Sequence, residues 1–406
     1  MNMKNYYKLL YNLKVDRRIS VPVLINRMFG KQKSFDNRLK SVLENHKYQE
    51  AIEIIEGNGA QESSENRKIY AYCLEAVGDS RSREIMKTYV EDKFGVTIDE
   101  LIRYIDNKLA DSSLNIRYEY LGGLGNYGVF IAYRGEMPCL LIKILGDGVS
   151  DNEIEFYNKI YGEIAHREFI PKFYNLFHFN DHLRFLVTEY VFPQRVDAEC
   201  DKYAIKATQE LSRIKQDRLF QLVPQRHLYK GNSEIGYLHK KIAVQMIREK
   251  INNTLLKDSS CVELQSELNR LFNLVIKVEL YKKIDPNAHY CLCHNDFHRK
   301  NMFKQNDNTV KVFDWNNYRS GLIGWDMAYY WGNFECSLID IKNLYVKHQA
   351  RTFINQDQSL IWELFFYLCL VYVWVARLHG VSANNYMDAY FRPAMQEIDE
   401  IIAKLA

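Results

Sequence analysis

The segment HNDFHRKN at residues 294–301 decides how the rest of the chain is read. It sets one carboxylate, Asp296, shortly before a neutral oxygen ligand, Asn301, and a second carboxylate, Asp314, follows in VKVFDWNN. Phosphoryl transfer needs a carboxylate to accept or orient the acceptor's hydroxyl proton. It also needs oxygen ligands for the metal that bridges the nucleotide phosphates. Asp296 suits the first task and is the candidate catalytic residue. Asn301 and Asp314 suit the second, because a short stretch separates them and a β-rich run at 310–313 can hold Asp314 in place.

Working upstream, YEYLGGLGNYGVFIAYRGEMPCLLIKILG at 118–146 reads as a β-meander, with strands predicted over 118–121, 129–134 and 139–144. Gly122, Gly123, Gly125 and Gly128 lie between the first two strands, where glycine lets backbone N–H groups approach phosphate oxygens. Lys143 stands in L-L-I-K-I, and such apolar neighbours force a charged side chain towards a partner. It is the candidate for the α- and β-phosphates. A helix is predicted over 150–164, and Glu153 or Glu155 on it would pair with that lysine. Glu153 is preferred, because Phe156, Tyr157 and Ile160 then fall on its helix face. A further strand is predicted over 183–190, helices over 202–282, and a helix-rich aromatic C-terminal part. Residues 1–110 read as helical throughout.

Taken in this order, the motifs resemble the aminoglycoside phosphotransferase and choline kinase superfamily, a branch of the protein-kinase-like fold. HNDFHRKN resembles its catalytic loop, with His298 where protein kinases usually carry Lys. FDWNNYRSGLIGWDMAYY at 313–330 resembles its metal-binding segment, with a later aspartate, here Asp326, that in the family braces the catalytic loop. NEIEFYNKI at 152–160 is similar to its glutamate-bearing helix. The resemblance covers about residues 115–335. It implies an α+β, two-lobed fold: a small antiparallel sheet lobe over 111–191 and a helical lobe over 192–406, preceded by an N-terminal helical extension over 1–110. It further implies ATP and Mg²⁺, and it places Glu189, Tyr190 and Val191 at the hinge beside adenine. The expected reaction moves the γ-phosphoryl group of ATP to a hydroxyl of a small molecule, such as a sugar, a glycan precursor or an amino alcohol. A protein kinase is one alternative, and a nucleotide-binding pseudokinase scaffold is another. The joint presence of Lys143, Asp296, Asn301 and Asp314 argues against a dead kinase.

Composition adds bounds. Lys plus Arg number 54 against 51 Asp plus Glu, and a net charge of +3 gives no field that would draw nucleic acid or an anionic membrane. Nucleic acid is therefore not an expected partner. Eight scattered cysteines and a start without an apolar signal segment lead us to expect reduced thiols and a cytoplasmic setting. Residues 360–376 are apolar but short for a span and contain Glu363, so a buried helix is expected rather than a transmembrane segment. Cys291, Cys293, His294 and His298 could be read as zinc ligands, but no second C-x-x-C completes a set, and small buried residues on a strand are the better reading. The aromatics Trp325, Tyr329, Tyr330, Trp331, Trp362, Phe366 and Trp374 are read first as core. The N-terminal helices are the one region where a protein partner is expected.

Overall fold

Period-two alternation sets the architecture of the first half of the chain. β1 (Ile116–Leu121), β2 (Val129–Arg134) and β3 (Met137–Gly146) pair antiparallel in sequence. β5 (Leu183–Glu189) then pairs with β3, and β4 (Phe173–His178) closes the edge in the order β1-β2-β3-β5-β4. The computed structural model describes residues 39, 42–43, 47–59, 64–109, 116–121, 127–146, 151–224, 236–256, 261–305, 309–378 and 383–405. β4 is not anticipated by pattern. It is an edge strand whose Tyr174 is 47% exposed, so it shows little of the alternation that marks a half-buried strand.

Phe130 and Ala132 of β2, with Ile142 and Ile144 of β3, point to one face of the sheet. Ile131 and Tyr133 point to the other, packed with Leu141. Since side chains alternate along a strand, Lys143 shares the face of Leu141.

Among the described residues four helices precede the sheet: α1 (Tyr48–Gly57), α2 (Ser64–Ala76), α3 (Arg81–Phe94) and α4 (Ile98–Leu109). α1 and α2 share a core of their own, with Ile52, Ile55, Ile69 and Leu74. Met86 and Val90 of α3 and Leu101 and Ile105 of α4 instead join Phe130, Ile142 and Phe185 in a single buried cluster. The expected boundary at residue 110 marks a change of sequence texture, whereas in packing these helices and the sheet form one core. The apolar stripe on α3 and α4 thus finds its partner within the chain. A variant tests this directly. Leu101 is fully buried, so Leu101→Ala should lower stability by about 2–5 kcal/mol, read from a urea midpoint. A value near zero would show that the helices merely rest on the sheet.

The chain forms two compact units, Met1–Ile154 with Pro171–Gln194, and Glu155–Ile170 with Arg195–Ala406. The helix predicted over 150–164 is observed as α5 (Asp151–Glu155), a wider turn over Phe156–Ile160 and a tight turn over Tyr161–Glu163. The boundary between the units falls inside α5, after Ile154.

The second unit is mainly helical. Its helices include α6 (Asp201–Ser212), α7 (Gln216–Leu222), α8 (Lys241–Leu255), α9 (Val262–Lys277), α10 (Trp325–Tyr330), α11 (Gln356–Arg377) and α12 (Arg392–Leu405). α11 has 22 residues, more than the apolar stretch read from sequence, and its length and composition alone would suffice to cross a bilayer. Burial argues otherwise, since 72% of its most apolar window lies inside the protein. Trp362 and Trp374 on it are fully buried and donate their indole N–H groups to the carbonyls of Ile323 at 2.7 Å and Trp331 at 3.2 Å.

Among the described residues this unit also holds two short antiparallel strand pairs. β6 (Tyr290–Cys293) pairs with β9 (Arg319–Leu322), and β7 (Met302–Lys304) pairs with β8 (Val310–Val312). The segment 294–301 therefore links β6 to β7, and Asp314 follows β8 on the way to β9.

Candidate active site

The loop after β6 is built around two buried side chains. His294 is fully buried, and its Nε2 lies 2.8 Å from the carbonyl oxygen of Phe313. A carbonyl only accepts, so Nε2 carries the proton and Nδ1 is left to accept the backbone N–H of Asp296, at 3.3 Å. Burial pushes the imidazole below its usual range, in keeping with a neutral ring that supports the loop. Asp326, on α10, accepts the backbone N–H groups of His294 at 2.7 Å and Asn295 at 2.8 Å. Burial pushes its carboxyl up to about 7, against the pull of those two donors. Asn295 itself adopts φ 64°, a conformation that asparagine tolerates better than most residues, and its Oδ1 accepts from the indole of Trp325 at 3.0 Å.

These contacts make a prediction. Asp326→Asn would turn an NH₂ group onto one of two backbone N–H groups, so stability should fall by about 1–3 kcal/mol. Equilibrium unfolding reads it, and a variant as stable as the wild type would remove Asp326 as the brace of the loop.

Asp296 stands at the turn this frame creates. The amide of Asn301 donates through Nδ2 to the Asp296 carbonyl at 2.9 Å and to its Oδ2 at 3.0 Å. His298 accepts the backbone N–H of Asn301 on Nδ1 at 3.2 Å, which leaves the proton on Nε2, 3.3 Å from Oδ1 of Asp296. Each carboxylate oxygen thus faces a donor, an arrangement that fixes the orientation of the carboxyl group. The Phe313 N–H donates to the carbonyl of Asn301 at 2.8 Å and so joins this loop to the segment bearing Asp314. Asp314 has φ 66°, a left-handed backbone that is uncommon outside glycine and recurs at functional sites. Behind it, Trp315 is fully buried, stacks on Phe156 with centroids 4.0 Å apart, and meets the His294 ring edge-on at 4.6 Å.

The donor set suits Mg²⁺. With Nδ2 of Asn301 turned to Asp296, its Oδ1 is directed away from the base, and Asp314 supplies a carboxylate. Among the described residues no group of three or more His, Cys, Asp or Glu gathers to hold a metal by itself. A cation here would therefore complete its shell with phosphate oxygens and water, which is the habit of Mg²⁺.

In the first unit Lys143 forms an ion pair with Glu153, and the two side chains are only 16% and 5% exposed. Glu155 is engaged elsewhere, accepting from the hydroxyl of Tyr318 at 3.0 Å and pairing with Lys159 at 3.1 Å. Gly122, Gly123 and Gly125 lie outside the described residues. Gly128 has φ 114°, and a Cβ there would lie 2.5 Å from the Tyr120 ring, so only glycine fits. At the end of β5 the backbone N–H of Glu189 donates to Lys172 at 2.9 Å and that of Tyr190 to Cys139 at 3.1 Å, with Val191 buried beyond them.

Cys291 and Cys293 are buried in β6, and burial pushes the Cys293 thiol well above its ordinary value, the reverse of what a zinc thiolate needs. Trp331, Trp362, Phe366 and Trp374 are core. Sequence reasoning missed the anchor of Arg299, whose guanidinium bonds Asp201 at 3.1 Å and Glu335 at 2.9 Å. No local signal could have found Asp201, which lies 98 positions away.

Residues 140–341 match the family model of the phosphotransferase enzyme family, APH. This segment belongs to that family. The chain is accordingly a phosphotransferase of the kinase type, and the His294–Asn301 loop, Asp314 and Lys143 all lie within the matched residues. No curated protein matches the phosphotransferase. Among solved structures it is similar to the ADP-bound aminoglycoside phosphotransferase APH(2'')-Ib, at 16% identity and a TM-score of 0.39 over 75% of this chain and 97% of that one. It is also similar to a choline kinase from Cryptosporidium parvum Iowa II, at 16% identity and a TM-score of 0.41 over 75% and 97%. A Plasmodium vivax ethanolamine kinase matches at 13% identity and a TM-score of 0.44 over 80% and 94%.

Proposed function

We propose that the protein transfers the γ-phosphoryl group of ATP to a hydroxyl of a small molecule, in the presence of Mg²⁺. The observation that carries this reading is the carboxylate of Asp296, held by His298 at 3.3 Å and Asn301 at 3.0 Å on a loop tied to the Asp314 segment. Asp296 orients the acceptor hydroxyl and takes its proton. A bond forms between the acceptor oxygen and the γ-phosphorus as the bond from that phosphorus to the β,γ-bridging oxygen breaks, and ADP departs with the electron pair. The proton then passes from Asp296 to solvent. Lys143, held by Glu153, contacts the α- and β-phosphates, and the Glu189–Val191 segment lies beside adenine. Asn301 and Asp314 would hold the metal, which would supply positive charge against the transferring phosphates.

A small acceptor is favoured over a protein because residues 315–325 are taken up by the turn Trp315–Asn317 and by β9, which pairs with β6. A protein kinase normally keeps a longer activation segment there, on which a peptide lies. Incubation with γ-labelled ATP, Mg²⁺ and fractionated cell extract tests the reading. Label is expected in metabolites or glycan precursors, and label confined to polypeptide would replace this reading with the protein-kinase one.

A further inference from the structure

Arg377 occupies the last turn of α11, and its guanidinium carbon lies over the Tyr329 ring, 4.9 Å from the centroid. The same tyrosine stacks against His298, with centroids 6.1 Å apart and planes 26° from parallel. His298 in turn sits 3.3 Å from the carboxylate of Asp296. One aromatic ring therefore lies between a guanidinium and the histidine beside the proposed base. Trp325 adds to this aromatic surface, with its ring 6.0 Å from Tyr329.

The two arginines near the loop differ in how their charge is met. Arg299 is satisfied by Asp201 and Glu335. Arg377, partly buried, has no carboxylate partner among the described residues, and its guanidinium lies over the face of Tyr329. A helix C-terminus favours a basic residue, which accounts for an arginine in the last turn. It does not account for a guanidinium placed over the ring that stacks with His298. Contact with a ring engages the face of a guanidinium and does not use its five N–H donors, which lie in the plane. That fork matches a carboxylate or a phosphate.

We propose that Arg377 selects an acceptor bearing an acidic group, a carboxylate or a phosphate, in addition to the hydroxyl that is phosphorylated. The proposal rests on the phosphoryl-transfer reading above and narrows it. An amino alcohol or amino sugar would bring a second cation to this ring, and that like-charge contact disfavours it. An acidic sugar or a phosphorylated glycan precursor would be held by the fork with its hydroxyl towards Asp296.

The test uses the full chain, Mg²⁺ and γ-labelled ATP against four groups of acceptors: neutral sugars, sugar carboxylates, sugar phosphates, and amino sugars with amino alcohols. Label is expected in one of the two acidic groups, and which of them takes it tells carboxylate from phosphate. On that acceptor Arg377→Ala should raise KM at least about 10-fold with a smaller change in kcat, as expected for loss of a charged hydrogen bond used in binding. Arg377→Lys should recover part of the loss. If the alanine variant does not fold, Arg377→Gln keeps most of the stem on Tyr329 and should raise KM in the same way. Label found only in the neutral or amino groups, or an unchanged KM on an acidic acceptor, overturns the proposal while leaving phosphoryl transfer to small molecules intact. Label in no small molecule at all overturns both.

Discussion

Asp296→Asn lowers turnover by at least about 10²-fold, the lower end of what a positioned general base contributes. The reason lies in what the two carboxylate oxygens do. An amide at 296 cannot take the acceptor's proton, and it can still accept from only one of its two neighbours, His298 or Asn301. The fold should survive the change, because the side chain is 20% exposed and the loop is held independently by His294 and Asp326. Stabilisation by Mg²⁺ and ATP in a thermal-shift measurement should therefore persist in the variant. Transfer to whichever acceptor the extract assay yields, or slow hydrolysis of ATP with water as acceptor, supplies the rate. Turnover within a few-fold of the wild type would remove Asp296 as the base.

The second large effect concerns the metal. Asp314→Asn should abolish the part of ATP-induced stabilisation that depends on Mg²⁺, and with it phosphoryl transfer, because it removes the one full negative charge among the two proposed ligands. Asparagine is the informative substitution. Asp314 holds φ 66°, and an alanine there would add backbone strain of the order of 1 kcal/mol that has nothing to do with the cation. Asparagine tolerates this conformation and can still accept from Asn316, which bonds Oδ1 of Asp314 at 3.2 Å. Asn301→Ala should weaken the same Mg²⁺-dependent shift less, since it removes a neutral oxygen. Were Mg²⁺ still to enhance ATP stabilisation of Asp314→Asn as it does in the wild type, the ligand set would be wrong.

Much of this organisation was legible in the residues. Glycine turns between β-rich runs marked β1 to β3, and alternation within L-L-I-K-I put Lys143 opposite the buried Ile142 and Ile144. Helical spacing pointed to Glu153 over Glu155, and the ion pair with Lys143 is made by Glu153. These features are local: a strand's period, a helix's period and a turn's need for glycine are set by neighbours a few positions away. Short strands such as β7 and β9, and the exposed edge strand β4, were not legible, because three to six residues with mixed exposure carry no period to read.

The sequence by itself determined the candidates for the chemistry: Asp296, Asn301, Asp314 and Lys143, each by its type and its place in a short motif. Only the tertiary structure decided what holds them and what stands beside them. Asp326 reaches back to two backbone N–H groups on the catalytic loop, Asp201 and Glu335 neutralise Arg299, and α3 and α4 bury their apolar faces in the sheet. It also set Arg377 on the ring that stacks with His298. Contacts of this kind join residues that are tens of positions apart or more, and no periodicity or propensity encodes them. They arise when buried polar groups must find partners and apolar faces must leave water, and which partner is within reach is known only once the chain has folded.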